Sequence, residues 1–222
     1  MPIFIEAVHT VKPLTNTAFD AYVDWYGEVI MPALRRNGYD VLGAWKRTGG
    51  PMGQDVLLTR FEDAAHYDQA GKSLRADKAM ASAMATMAGR FSLTESAKMA
   101  VPVPYATDQR LDTALAARPE TPRQYLQAVL NIRMGGQPKC YEIVGKLADI
   151  IEDGNVVNLV TAYETTVGQR GEVTDIWAMP AGPAGLGYQP GDPLADIMRE
   201  LRDVAPEEST YFLNPLPYSP LQ

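Results

Sequence analysis

Glu6 and His9 interrupt an otherwise apolar stretch, FIEAVHTVKP at residues 4–13. A carboxylate walled by apolar side chains has a raised pKa and exchanges protons near neutrality, which makes Glu6 a candidate general base. The competing reading of Glu6 is a carboxylate paired with a nearby arginine. Two more charges stand inside apolar runs, Arg60 in DVLLTRFE and Asp175 in EVTDIWAM. Such charges cost free energy unless they are paired or used. Used, Arg60 holds an oxyanion and Asp175 serves as a second acid or base. Paired, they form a mutual ion pair or a salt bridge at a rim. His66, in EDAAHYDQ at a helix start, completes the candidate catalytic set.

These groups sit on elements that occur twice. FIEAVHTVK aligns without a gap on YLQAVLNIR, residues 125–133, and nearly every step keeps its chemical class. Glu6 meets Gln127, its neutral isostere, and His9 meets Leu130. Strand residues alternate faces. The row Tyr125, Gln127, Val129, Asn131 therefore matches Phe4, Glu6, Val8, Thr10 and is expected to face a cavity. His9 falls in the other row, under helices, where a hydrogen-bonded core histidine is the plain reading. On the third strands, 55–62 aligns on 172–179, which sets Arg60 against Trp177 and Leu58 against Asp175. The expected substrate-contacting residues are Asn131, Gln127, Trp177, Trp45, Tyr125 and, in reserve, His9. Asn131 would share a substrate oxygen with Arg60, and both tryptophans compete with a core role.

Each half reads as strand, helix, strand, strand, helix, strand. In the first half these cover 3–12, 15–36, 40–48, 54–62, 64–89 and a strand reaching residue 100. In the second they cover 124–133, 138–152 (stopped by Gly154), 155–166, 172–179, 193–204 and 208–213. VPVPY at 101–105 and NPLPY at 214–218 end the halves alike. The fold class is α+β: two tandem βαββαβ ferredoxin-like repeats, 1–105 and 123–222, joined by a linker at 106–122 with a short helical centre. Their antiparallel sheets are expected to pack into one pseudo-dimeric α+β barrel. Met80, Met84 and Met87 share a helix face and read as packing. The loop AGPAGLGYQPG matches no phosphate-binding pattern and reads as a flap carrying Tyr188.

Composition bounds the partners. Apolar residues make up 46 % and charged residues 21 %, the balance of a folded globular chain. A net charge of −7 argues against nucleic acid and anionic membrane, which need a basic footprint. The single cysteine, Cys140, excludes an internal disulfide, and with two histidines in all no metal site is expected. MPIFIEAVHT has no basic leader, and no apolar run of about 18 residues occurs, so a cytoplasmic protein without membrane insertion is expected.

The stretch VLGAWKRTGGPMGQDVLLTRFEDAAHYDQAGKSLRAD, residues 41–77, resembles the NIPSNAP family of the dimeric α+β barrel superfamily: a G-x-W strand, a Gly-bearing hairpin, an apolar strand and a helix. VTDIWAM at 173–179 resembles the family's third strand. The resemblance implies a superfamily of cofactor-free monooxygenases, polyketide cyclases, isomerases, lyases and heme enzymes. Its plant-cyclase and heme branches carry histidines on the second helix, where this chain reads GKSLRAD and has none at 70–90. No flavin, nicotinamide or metal motif is visible, so no cofactor is expected. The expected activity is cofactor-independent proton transfer (isomerase, lyase, hydratase or cyclase) on a small apolar, aromatic or terpenoid-like substrate in the barrel cavity. The alternatives are a non-catalytic NIPSNAP-type ligand-binding or interaction module, and a cofactor-free monooxygenase whose substrate carbanion reacts with oxygen. The chain is expected to be a monomeric pseudo-dimer or a homodimer.

Overall fold

Residues 3–102 form β1 (Ile3–Lys12), α1 (Asn16–Trp25), α2 (Met31–Arg36), β2 (Asp40–Thr48), β3 (Gln54–Phe61), α3 (Ala64–Ala76), α4 (Lys78–Met87) and β4 (Ser92–Pro102). Then come α5 (Asp108–Ala116), β5 (Gln124–Asn131), α6 (Gln137–Asp153), β6 (Asn158–Val167), β7 (Glu172–Met179), α7 (Pro193–Val204) and β8 (Glu207–Pro215). This computed structural model describes residues 1–87, 90–117, 119–153, 157–183 and 193–222. Gly154, Tyr188 and residues 88–89 of the expected long helix lie outside the described residues.

The single helix expected at 15–36 has three parts. Thr15 caps α1, its side chain accepting from the Ala18 amide at 3.2 Å. A π-helical turn, Tyr26–Ile30, then joins α1 to α2, whose first turn holds Pro32. Proline lacks an N–H and its ring displaces the carbonyl four residues back, so the wider turn falls where a regular bond is unavailable. Gly38, at φ 84°, ends α2. The helix expected at 64–89 is broken at Asp77, whose carboxylate caps α4 by accepting from the Ala79 and Met80 amides. Hydrogen bonds from Asn37 and then Arg36 hold that carboxyl well below its usual range. Met80 and Met87 pack inward from α4, while Met84 is exposed.

The chain divides into two units by its contacts. The first is Met1–Met99 with Pro215–Leu221, and the second is Ala100–Asn214 with Gln222. The expected boundaries at 105 and 123 follow chain order, and packing departs from it at both ends. Val103 and Tyr105 of VPVPY pack in the second unit's core, and Leu216 and Tyr218 of NPLPY pack in the first's. The expected linker carries α5, which packs on β6 and buries Leu111.

Strand order is β4–β1–β3–β2 in the first unit and β8–β5–β7–β6 in the second. In the first, Glu6 stands opposite Leu58 and Leu58 opposite Gly43. In the second, Gln127 stands opposite Ile176 and Ile176 opposite Thr161. With Glu6 matched to Gln127, Leu58 corresponds to Ile176, not to Asp175. The third-strand alignment read from sequence is therefore one residue out, and a one-residue slip exchanges the faces. Each second strand has an irregularity at the same place, Val41/Gly43 and Leu159/Thr161.

Gly43 lets the buried Trp45 ring fold back over the strand, for a Cβ there would lie 2.0 Å from the indole. Gly43→Ala is expected to cost about 1–3 kcal/mol by overpacking, read as a lower urea midpoint. An unchanged midpoint would show that the indole has room to move.

Candidate functional site

The helix-side face of the first unit's sheet carries a polar cluster inside an aromatic shell. His9 and Asp55 are cross-strand neighbours on β1 and β3. His9 is 3 % exposed and Asp55 is fully buried. His9 Nδ1 lies 3.3 Å from Asp55 Oδ2 and 3.2 Å from Oδ1, and Nε2 lies 3.1 Å from Glu95 Oε2 on β4. The Tyr22 hydroxyl donates to Asp55 Oδ2 at 3.0 Å. Burial pulls the imidazole's pKa down, but the bonds and charges of Asp55 and Glu95 outweigh it and carry it up to about 9. With both nitrogens protonated, each N–H faces a carboxylate. His9 also draws the half-exposed Glu95 carboxyl below its ordinary value. Burial, then the charge of Asp55, pushes the Tyr22 hydroxyl well up.

The shell comes from α1, the π-helical turn and the C-terminal segment. Tyr26, on the turn, has its ring centroid 5.5 Å from that of His9 and stacks on Tyr218 at 5.7 Å. Phe91 meets Tyr22 and Trp25 edge-on. Trp25 Nε1 and the Tyr218 hydroxyl are buried with no hydrogen-bond partner among the described residues, and Asp55 Oδ1 has a charge contact without an aligned hydrogen bond. Buried polar atoms rarely go unsatisfied. Three of them stand in the aromatic shell around the imidazole.

The second unit has a different arrangement on its helix side. Asp175 is 2 % exposed and accepts from the Tyr105 hydroxyl at 2.6 Å. Burial pushes its carboxyl up to about 7 against the lowering effect of that bond. Nearby, burial pushes the Cys140 thiol up to about 12, so the chain's one cysteine is protonated and unreactive at neutral pH. In matched registers Leu130 and Val173 stand where the first unit has His9 and Asp55.

The residues expected to act together have separate partners. Glu6, on the sheet face away from the helices, is 4 % exposed and pairs with Lys98 at 3.3 Å, not with Arg60. Arg60 is at the end of β3, where it pairs with the half-exposed Asp40 at 2.8 Å. It is a rim salt bridge, because the strand end is open to water. Asp175 and Trp177 lie under α6 and α7 rather than on the opposite face, a consequence of the one-residue slip; Trp177 packs in that core. His66 accepts from the Glu62 amide through Nδ1 and packs on Phe61, a helix-start role. Asn131 donates to Glu207 and accepts from Gln169 at the end of β5. Gln127 and Trp45 are fully buried, and the Tyr125 hydroxyl donates to the Gln222 carbonyl at 2.9 Å. Sequence reasoning missed Asp55, Tyr22 and Glu95. The signals were an acid opening an apolar strand and Tyr22/Tyr26 four apart on one helix face. No group of three His, Cys, Asp or Glu among the described residues could hold a metal ion. No helix among them is long and apolar enough to cross a membrane.

The two buried acid–base groups predict distinct pH windows. His9 has its folded pKa raised from 6.5 to about 9, so its stabilisation is full below pH 6.5 and lost as pH rises through about 9. The loss is about 3 kcal/mol, and His9→Gln should abolish it. Asp175 is raised from 3.8 to about 7, so stability falls as pH rises across that lower window and the full cost stands above it. Asp175→Asn should therefore be the more stable protein at alkaline pH. Urea midpoints measured against pH for both variants check this; one common window for both would contradict the assignment.

No protein-family model matches the sequence, and no curated protein does. Solved structures do match. A "putative monooxygenase" of Fusobacterium nucleatum covers 97 % of this chain and 92 % of its own at a TM-score of 0.63 and 11 % identity. An anthrone oxidase-like protein covers 96 % and 91 % at 0.61 and 8 % identity. An uncharacterized NIPSNAP domain protein of Burkholderia xenovorans covers 48 % of this chain and 99 % of its own at 0.43 and 13 % identity. At such identities the full-chain likeness shows the fold alone, an α+β arrangement of helices on antiparallel strands that this chain shares with the first two proteins.

Proposed function

We propose that the chain is an enzyme that transfers a proton to and from a small, aromatic or otherwise apolar substrate without a bound cofactor, and that His9 is the group that takes the proton. The observation carrying this reading is an imidazole buried among aromatic rings with a carboxylate on each nitrogen, 3.2 Å from Asp55 and 3.1 Å from Glu95. The two carboxylates differ. Asp55 is buried and anchored by Tyr22, whereas the Glu95 side chain is 59 % exposed and free to swing toward water. An entering substrate displaces Glu95. With one countercharge gone, burial lowers the imidazole's pKa, the Nε2 proton passes to the departing Glu95 carboxylate and from there to water, and Nε2 becomes a neutral acceptor. Asp55 keeps the remaining proton on Nδ1, the orienting role of a carboxylate behind a catalytic histidine. The rings of Trp25, Tyr26 and Phe91 offer apolar walls for an aromatic substrate.

A second reading is favoured by the full-chain neighbours named for oxidation, the Fusobacterium protein and the anthrone oxidase-like protein. The same deprotonation then makes a substrate carbanion, and dioxygen is the oxidant that it reduces. Glu6, buried beside Lys98, stands as the rival base from the opposite sheet face, while Arg60, Asn131, Asp175 and His66 are engaged with Asp40, Glu207, Tyr105 and the Glu62 amide. The two units are proposed to be tandem copies of one βαββαβ repeat, a reading supported by their shared registers and second-strand irregularities.

Anthrone, an aromatic with an acidic methylene, is the first probe. Wild-type protein is expected to exchange the methylene hydrogens for deuterium, followed by NMR, and oxygen uptake under the same conditions separates the two readings. His9→Gln should reduce the rate by about 10²–10⁴-fold, and Asp55→Asn comparably. Glu6→Gln should leave it nearly unchanged. Loss in Glu6→Gln with retention in His9→Gln would move the base to Glu6. Absence of both exchange and uptake over a panel of activated aromatics would favour the non-catalytic binding module.

A further inference from the structure

The end of the β2–β3 hairpin and the start of α1 enclose a pocket of about 210 Å³. Its walls include Leu14, Phe19 and Met52, and its cations are Lys46 and Arg47. Leu14 and Met52 are large apolar side chains left 50 % and 68 % exposed. The Lys46 ammonium sits 4.9 Å above the Phe19 ring centre, a cation–π contact that orients it. No carboxylate among the described residues pairs with Lys46, in a chain whose net charge is −7. Arg47 Nη1 donates to a neutral acceptor, the Gln54 side-chain oxygen, at 3.3 Å. The first turn of α1, ten residues long, lies in the same wall and holds no acidic side chain to answer its partial positive charge.

The hairpin keeps this corner open. Gly49 and Gly53 have φ values of 78° and 72°, conformations that favour glycine. A Cβ at Gly53 would lie 2.9 Å from the Leu14 side chain and 3.0 Å from the Val11 carbonyl, so a larger residue would push the loop away from Leu14. The volume is below the roughly 300 Å³ at which drug-sized sites begin, so the occupant is about one ring with a short substituent. Apolar walls select the ring, and a cation with no carboxylate partner together with a helix start selects a negative charge.

We infer that this pocket is a binding site for a small aromatic carboxylate, with the ring against Phe19, Leu14 and Met52 and the carboxylate on Lys46. This binding does not depend on proton transfer at His9.

Benzoate is the probe, with benzamide as its uncharged isostere, titrated into the full-length protein and followed by amide shifts in ¹H–¹⁵N spectra. Benzoate is expected to shift the amides of residues 14–19 and 46–53 saturably, and benzamide to bind about tenfold more weakly or worse. Lys46→Met, which keeps the apolar stem, should weaken benzoate by about tenfold and leave benzamide unaffected. Added salt should weaken benzoate binding to the wild type, a measurement that stands even if the variant misfolds. Equal binding of benzoate and benzamide, shifts confined to other residues, no saturable shift, or indifference to both salt and Lys46→Met would each overturn the inference. Retention of benzoate binding in His9→Gln is expected, and its loss there would tie the pocket to the His9 centre and overturn the claim of independence.

Discussion

A sheet with helices on one side sends successive side chains to opposite faces, so each strand residue is committed to one surface by its register. In the first unit this puts His9 on β1, Asp55 on β3 and Lys46 on β2 in one cross-strand row, His9↔Asp55 and Lys46↔Asp55. All the polar chemistry of the helix side follows from that row. Its centre, Asp55, is the buried charge that His9 and Tyr22 must answer. Its outer member, Lys46, reaches the Phe19 ring. The helices answer in kind: α1 and the π-helical turn bring Tyr22, Trp25 and Tyr26 down on the same spot.

An ionised pair in such a place is not a source of stability in itself. Desolvating two charges costs several kcal/mol, and their attraction recovers that only with good geometry and further hydrogen bonds. The His9 cluster meets the condition on one side and relaxes it on the other. Asp55 is held by Tyr22 and His9 in a dry site, while Glu95 holds Nε2 from the solvent side. The two carboxylates therefore differ in exposure, Asp55 buried and Glu95 reaching water. Asp175 reaches the opposite result by a different route. Among the described residues it has one donor, Tyr105, and no cation within contact, so burial dominates and the carboxyl is half-protonated near neutrality.

The tyrosines of the two look-alike ends show how the chain places groups that no local pattern would join. VPVPY closes the first half, yet its Tyr105 serves Asp175 of the second unit. NPLPY closes the second half, yet its Tyr218 stacks on Tyr26 of the first. Each polar centre is therefore completed by a tyrosine remote in sequence. A cut of the chain at either proline-rich segment removes an aromatic group from the unit on the far side of the cut.

Much of this was legible in the residues. Period-2 and period-3.6 patterns placed the strands and helices, because burial of an apolar face is a local signal repeated along each element. Alternation along β1 put His9 under the helices, and the neutral Gln127 and Leu130 marked Glu6 and His9 as the places where the halves differ. The helix interruptions beside Pro32 and at Asp77 were not read, although a missing donor and a capping carboxylate mark them. The partners were not legible. Asp55 and Glu95 are 46 and 86 residues from His9, and nothing in the spacing says that their oxygens meet its two nitrogens. Nor could an ungapped alignment detect a one-residue offset between β3 and β7, since both carry apolar residues on both faces, and that offset alone turned Asp175 and Trp177 to the helix side. Local periodicity reports which surface a residue wants. Which group it meets there is decided by strand register and by the return of distant segments, and those are properties of the folded chain.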